Sequence, residues 1–229
     1  LEAASGDPGD LPELARYSWS LLKLSSRASR DRALLHDAYR CWREVWTATF
    51  AELDGVDRVH SDDFARQQEF VALFEEGRCI GLVGFRFLDL ATEMACEDSY
   101  FKIWPEPVIV RARSISRVVC VMSNLTVHPS SRGSLGSTSV KEILTILATN
   151  RFAASVCSLA LGTMRNNRGM SDLVYRYGAT CLVPNAVLHG VSVDLVEFSR
   201  WSVRSALTAP KPASVIRTFC GETADRRIA

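Results

Sequence analysis

The sequence contains no Cys-x-x-Cys pair, no apolar run near the ~20 residues needed to span a bilayer, and no excess of charge of either sign. Each absence narrows the choice of function. A chain without a long apolar run offers no membrane-spanning helix. Lys plus Arg number 27 and Asp plus Glu 26, a net charge of +1; with no overall basic face to neutralise phosphates, nucleic acid is not the expected main partner. The four histidines, His36, His60, His128 and His189, are too scattered for zinc-ligand spacing. The opening residues LEAASGDPGD lack the basic start and apolar centre of a signal peptide. Seven cysteines stand far apart, several inside apolar runs such as VVCVM and ASVCSLAL. They read as small buried hydrophobes in a reducing compartment, so the expected location is the cytoplasm, with a nucleophilic cysteine as the alternative.

What is present is the composition of a globular domain: 229 residues, 47% hydrophobic and 23% charged. Residues 1–15, rich in Pro, Gly and acidic residues, read as a flexible arm. From Arg30, the residues Leu35, Tyr39, Trp42, Trp46 and Phe50 recur at three- and four-residue steps, which predicts an amphipathic helix ending before Gly55. That aromatic stripe reads as core packing, with a partner-binding face as the alternative. A short helix capped by Ser61 is expected in SDDFARQQ. EFVALFEEGRCIGLVGFRFLDL predicts a hairpin turning at Glu75–Arg78. Residues 91–116, including WPEPVIV, read as a long excursion with one strand. RVVCVMSNLTV is a near-continuous apolar run, suited to a central strand buried on both faces. Further elements follow: a helix with Val140, Ile143, Leu144 and Leu147 on one face, a buried strand in ASVCSLALGT, a short helix closed by Gly178, and an edge or half-buried strand in GVSVDLVEF. The chain after Arg204 turns polar and reads as a tail. The expected architecture is α/β (α+β), one mixed sheet flanked by helices, in a single domain over residues 16–204 with a tail over 205–229.

The segment LTVHPSSRGSLGSTSVK joins the central strand to a helix. Gly133 and Gly136 free the backbone N–H groups of such a loop from Cβ interference, and the helix start adds unsatisfied N–H groups and partial positive charge. Arg132 offers a bidentate phosphate contact. Ser139, with Glu142 three residues on, fits a capping box, and Ser137 is an alternative cap. This is the layout of a phosphate or pyrophosphate site, or of a plain capped helix. It is not a nucleotide P-loop, because the G-x-x-x-x-G-K-[ST] frame is missing and Lys141 falls well inside the expected helix. A third glycine for a dinucleotide fingerprint is missing too.

LTVHPSSRGSLGS, together with RNNRGMSDLVYRYGA, resembles the GNAT superfamily of N-acyltransferases over roughly residues 39–198. In that family a central strand leads into a Gly-containing loop whose amides hold the pyrophosphate of an acyl-coenzyme A. The resemblance implies a GNAT-like, mostly antiparallel mixed sheet, with donor contacts at Val127, Arg132, Gly133, Ser134, Leu135, Gly136 and Ser137. It also implies a contact at Asn167, which begins a short helix ending at Gly178. The loop is one residue shorter than the family's. The family's tyrosine position falls on Val174, with Tyr175 next to it; Tyr175, and behind it Tyr177, are the expected acids for the leaving thiolate. Asn124 in the central strand is expected to position a water. His128 reads as a surface residue, and Asp62, Asp63 and Asp89 as solvated carboxylates.

YRCWREVWTATFAELDG, SDDF and FVALFEEGRCIGLVGFRFL are also similar to the branch that makes acyl-homoserine lactones and N-acyl amino acids. The implied activity is transfer of an acyl group from acyl-CoA, or from an acylated phosphopantetheine carrier, to a small-molecule amine or amino-acid acceptor. An acyl carrier protein is then a possible partner. A degenerate module that binds coenzyme A without turnover is the alternative.

Overall fold

The computed structural model describes residues 16–56, 58–135 and 138–221. The expected arm over residues 1–15, and Gly136 and Ser137 of the loop, lie outside them, as do residues 222–229.

The chain opens with a strand, β1 (Tyr17–Lys23), followed by helix α1 (Ser29–Asp54) and a single turn, α2 (Asp62–Ala65). α1 follows the aromatic periodicity and ends at Gly55, whose φ of 66° is the left-handed closure that glycine adopts without penalty. Trp42 is fully buried against Phe64 and Tyr39, so this part of the stripe is core. Ser61 precedes α2 without a side-chain capping bond. The predicted hairpin is β2 (Glu69–Glu75) and β3 (Arg78–Asp89), turning through Glu76 and Gly77 with φ of 49° and 83°. Two positive values fit the right-handed strand twist.

After β3 come α3 (Glu93–Cys96), a 3-10 turn at Ser99–Ile103, and α4 (Glu106–Ile115). The excursion over 91–116, expected to hold one strand, is therefore helical, and WPEPVIV opens α4. Its β-branched run suggested an extended segment, but Pro105 and Pro107 preset the φ of a helical first turn. The rest is β4 (Val118–Val127), a two-residue ribbon β5 (Ser134–Leu135) and β6 (Thr138–Ser139), α5 (Val140–Ala153), β7 (Leu159–Arg165), α6 (Met170–Arg176), β8 (Ala179–Leu188), β9 (Val191–Ser199), α7 (Arg200–Leu207) and α8 (Pro210–Cys220).

Seven strands form one sheet in the order β1-β2-β3-β4-β7-β9-β8, antiparallel except for the β4–β7 pair. One face carries α5, whose residues are buried almost all round, from Val140 and Ile143 to Thr149 and Phe152. A helix apolar on every side must be covered on its outer side too. Here α7 and α8 supply that cover through Val203, Leu207, Val215 and Ile216. The chain beyond Arg204 is thus no simple tail up to residue 221. Trp19 Nε1 donates to the Phe219 carbonyl at 2.7 Å, and Lys211 pairs with Glu142 at 2.8 Å. On the opposite face α1 covers Phe70, Ala72 and Leu82, while the 3-10 turn and α4 cover Val121, Leu161 and Leu195. Among the described residues, no helix is long and apolar enough to cross a membrane.

Candidate active site

Two irregularities open the middle of the sheet. β4 and β7 are paired only at Cys120–Ala160 and Val121–Leu161. Beyond those pairs β4 runs on for six residues and β7 for four. The β3–β4 register also slips: Leu82 faces Thr126 and Gly84 faces Ser123, so Asn124 and Leu125 together oppose Val83. That is a β-bulge, with Asn124 at φ 57°, a left-handed conformation that asparagine tolerates better than most residues. The bulge bends β4 where its pairing with β7 ends. On β7 the unpaired stretch is Gly162–Arg165.

A cavity of about 460 Å³ passes through the gap. On the α5 face it is bounded by Lys141, Thr145 and Thr149 of α5 and by Met170 and Val174 at α6; on the other face by Val45, Trp46 and Thr49 of α1. Its waist is the bulge, Ser123–Leu125, against Thr163–Arg165 of β7. Trp46 Nε1 donates to Thr126 Oγ1 at 2.9 Å, and Thr126 in turn donates to the Asn124 carbonyl at 2.8 Å, which braces the bulge from α1.

Of the residues predicted for the donor, Val127 and Arg132 line this cavity. Arg132 is exposed, with Nε 3.4 Å from the Val127 carbonyl. Gly133 is exposed beside open space, so no close approach of another group requires a glycine there. Ser134 and Leu135 pair with Ser139 and Thr138 in the small ribbon, where a curled cradle was expected. Gly136 and Ser137 fall outside the described residues. Ser139 caps α5, accepting from the Glu142 N–H at 3.2 Å; the Glu142 carboxylate turns instead to Tyr177 and Lys211, so the reciprocal half of the capping box is not made. Lys141, expected deep in the helix, is its second residue and reaches the Arg168 carbonyl at 3.1 Å. Asn167 is exposed in the 3-10 turn Asn166–Arg168.

Neither tyrosine is among the residues lining the cavity. The Tyr175 hydroxyl donates to Asp194 Oδ2 at 2.6 Å, and the buried Tyr177 hydroxyl donates to Glu142 Oε1 at 2.7 Å. Burial first, then the facing carboxylate, pushes both phenols well above their ordinary value. Asn124 lines the cavity, but its side-chain N–H donates to the Asp63 carbonyl at 2.9 Å. His128, expected at the surface, is buried: Nδ1 lies 2.7 Å from Ser130 Oγ, and Nε2 lies 3.1 Å from Glu44 and 3.3 Å from Arg78. Asp89 is paired with Arg117 and Asp63 with Arg66.

No family model and no curated protein matches the sequence. Solved structures do match the fold. The acyl-homoserine lactone synthase LasI aligns at a TM-score of 0.52 and 14% identity, over 80% of this chain and 90% of its own. The CoA-dependent acyl-homoserine lactone synthase BjaI, solved with SAM and isopentyl-CoA, aligns at 0.56 and 11%, over 84% and 88%. FeeM, an N-acyl amino acid synthase from uncultured soil microbes, aligns at 0.53 and 9%, over 84% and 97%. The chain has the GNAT fold.

In that fold the displaced tyrosine has a simple geometry. Val174, on which the family's tyrosine position was expected to fall, lines the cavity, whereas Tyr175, one step and ~100° further round α6, donates to Asp194. Among the lining residues that the sequence reading did not assign to the site are Lys141, Thr163, Arg165 and Arg168. The basic residues of MRNNRG were the available signal. Among the described residues, the lining contains no carboxylate, histidine, cysteine or tyrosine.

Proposed function

We propose that the protein is an N-acyltransferase that moves an acyl group from an acyl thioester, with acyl-CoA as donor, to a small-molecule amine. The observation that carries this reading is the cavity between diverging β4 and β7, lined by residues from both faces of the sheet. A thioester arm entering from the α5–α6 side brings its carbonyl to the bulge, while an amine approaches from the α1 side. The first turn of α5, Lys141 and Arg132 supply positive charge for the donor's phosphates, with Val127, the ribbon and Asn167 alongside. The amine nitrogen attacks the thioester carbon, backbone N–H groups at the bulge stabilise the oxyanion, and the C–S bond breaks as the amide forms. The amine gives up one proton and the departing sulfur takes one.

With no carboxylate, histidine, cysteine or tyrosine in the cavity lining among the described residues, solvent carries these protons. A leaving thiol with a pKa of about 8.5 needs little acid assistance. Catalysis then rests on holding two reactants in register. Tyr175 becomes a positioning residue acting through Asp194, which also accepts from Asn166 Nδ2 and the Asn185 N–H, each at 3.0 Å.

The same lack of an acid–base pair favours a second reading, a module that binds coenzyme A without turnover. Titration calorimetry with coenzyme A and acyl-CoA, followed by an amine panel under turnover conditions, tests both. Donor binding that Lys141→Glu and Arg132→Glu each weaken at least tenfold, with amide formed, supports the transferase. Binding without product supports the module, and absence of binding removes both. If acyl-CoA fails where an acylated carrier protein succeeds, the donor is the carrier.

A further inference from the structure

We infer that Arg165 grips a carboxylate of the acceptor, so that the amine accepted at this site belongs to an amino acid or a comparably short amino carboxylate. The inference rests on the acyltransferase reading and names its substrate class.

Arg165 ends β7 and lines the cavity, yet its Nε and Nη2 are shielded from solvent and have no hydrogen-bond partner. The neighbouring cations are engaged: Arg132 contacts the Val127 carbonyl, Lys141 the Arg168 carbonyl, and Arg168 the Glu52 carboxylate at 3.1 Å. An enclosed donor pair left unsatisfied on a half-buried side chain is costly. Burial first, then the like charge of Arg168, pulls the guanidinium below its ordinary value, and Glu52 only partly opposes this. The Glu52 carboxylate is bonded to Arg168, and among the described residues no carboxylate lines the cavity, so the acceptor for Nε and Nη2 arrives with the ligand.

Placement on the strand assigns the anion to the acceptor. Side chains alternate along β7. Leu159 and Leu161 join the cluster under the 3-10 turn and α4, and the Thr163 hydroxyl reaches Tyr100 on that same face at 3.4 Å. Arg165 follows two residues later and faces the α1 side, whereas the first turn of α5, proposed for the donor's phosphates, lies on the other face. A planar guanidinium suits a bidentate carboxylate, which would fix the position of a nearby amine at the waist of the cavity.

The test is calorimetric titration of the full chain with the twenty L-amino acids and their decarboxylated amines, with and without saturating coenzyme A, in the wild type, Arg165→Gln and Arg165→Lys. The wild type should bind at least one amino acid about tenfold or more tightly than its amine. Arg165→Gln should lose about tenfold to a hundredfold of that affinity, and with it the discrimination. Arg165→Lys should retain part of both, and coenzyme A affinity should be the same in all three. The melting temperature of ligand-free Arg165→Gln should equal or exceed that of the wild type, because two enclosed donors without partners have been removed. A wild type indifferent to the carboxylate, or an Arg165→Gln variant that keeps the discrimination or loses coenzyme A instead, overturns the inference. Carboxylate discrimination without coenzyme A binding supports the role of Arg165 and removes the acyl-thioester reading.

Discussion

At the residue scale, a hydroxyl's value depends on what it faces. Tyr175 spends its proton on Asp194, and burial of that carboxylate is outweighed by the donors converging on it: Tyr175, the Asn185 N–H and Asn166. Asp194 is therefore held below the usual carboxylate range, so the bond stabilises the fold above about pH 4 and the gain is lost as pH falls through the lowered folded value. Tyr175→Phe should cost about 1.5 kcal/mol, the worth of one hydrogen bond to a charged group. At this chain length that is a fall of about 3–6 °C in melting temperature. Thermal unfolding at pH 7 measures it, and the deficit should shrink as the pH approaches 3. Turnover at 25 °C should fall less than threefold; a hundredfold loss without loss of stability would restore Tyr175 as the acid.

At the scale of elements, legibility in the sequence follows how much of an element's role is local. α1, the β2–β3 hairpin and the apolar run of β4 carry their own periodicity, and the mixed sheet was readable from them. Both sheet edges were missed. β1 interleaves Ser18 and Ser20 with Trp19, and β8 carries Pro184 and Asn185, a pattern that an edge strand tolerates and a sequence rule penalises. The bulge was hidden because a single Asn124 inside an apolar run has no strong local signature, while its effect, the parting from β7, is visible only across the sheet. α8 was read as a polar tail because its apolar residues pack on α5, about sixty residues away in sequence. Ile216→Ala should therefore cost about 2–4 kcal/mol, measured as a shift in urea midpoint at unchanged slope. A loss below about 0.5 kcal/mol would mean that α8 does not pack on α5.

At the scale of the whole molecule, the site is an opening between two sheet halves, and its chemistry is that of the enclosing backbone and four cations. With no carboxylate, histidine, cysteine or tyrosine in the cavity lining among the described residues, the proposed transferase acts on the neutral amine alone. The value of kcat/KM should then rise about tenfold per pH unit below the pKa of the acceptor amine and level off above it, with no second ionisation from the protein below that pKa. A bell-shaped profile centred near pH 7 would reveal an acid–base pair reaching the cavity from elsewhere. The loop after β4 contributes one wall of this opening through Arg132; the opposite wall, from α1 and β7, depends on contacts between residues more than a hundred positions apart.

The central claim is that an acyl thioester threads the gap between β4 and β7. Titration of the ¹⁵N-labelled protein with acetyl- and octanoyl-CoA, followed by amide chemical shifts, tests it most directly. The largest changes should fall on Ser123–Val127, Gly162–Arg165 and the first turn of α5, and the longer chain should extend them to Trp46 and Thr49. Changes confined to other surfaces, or none at saturating donor, would contradict it.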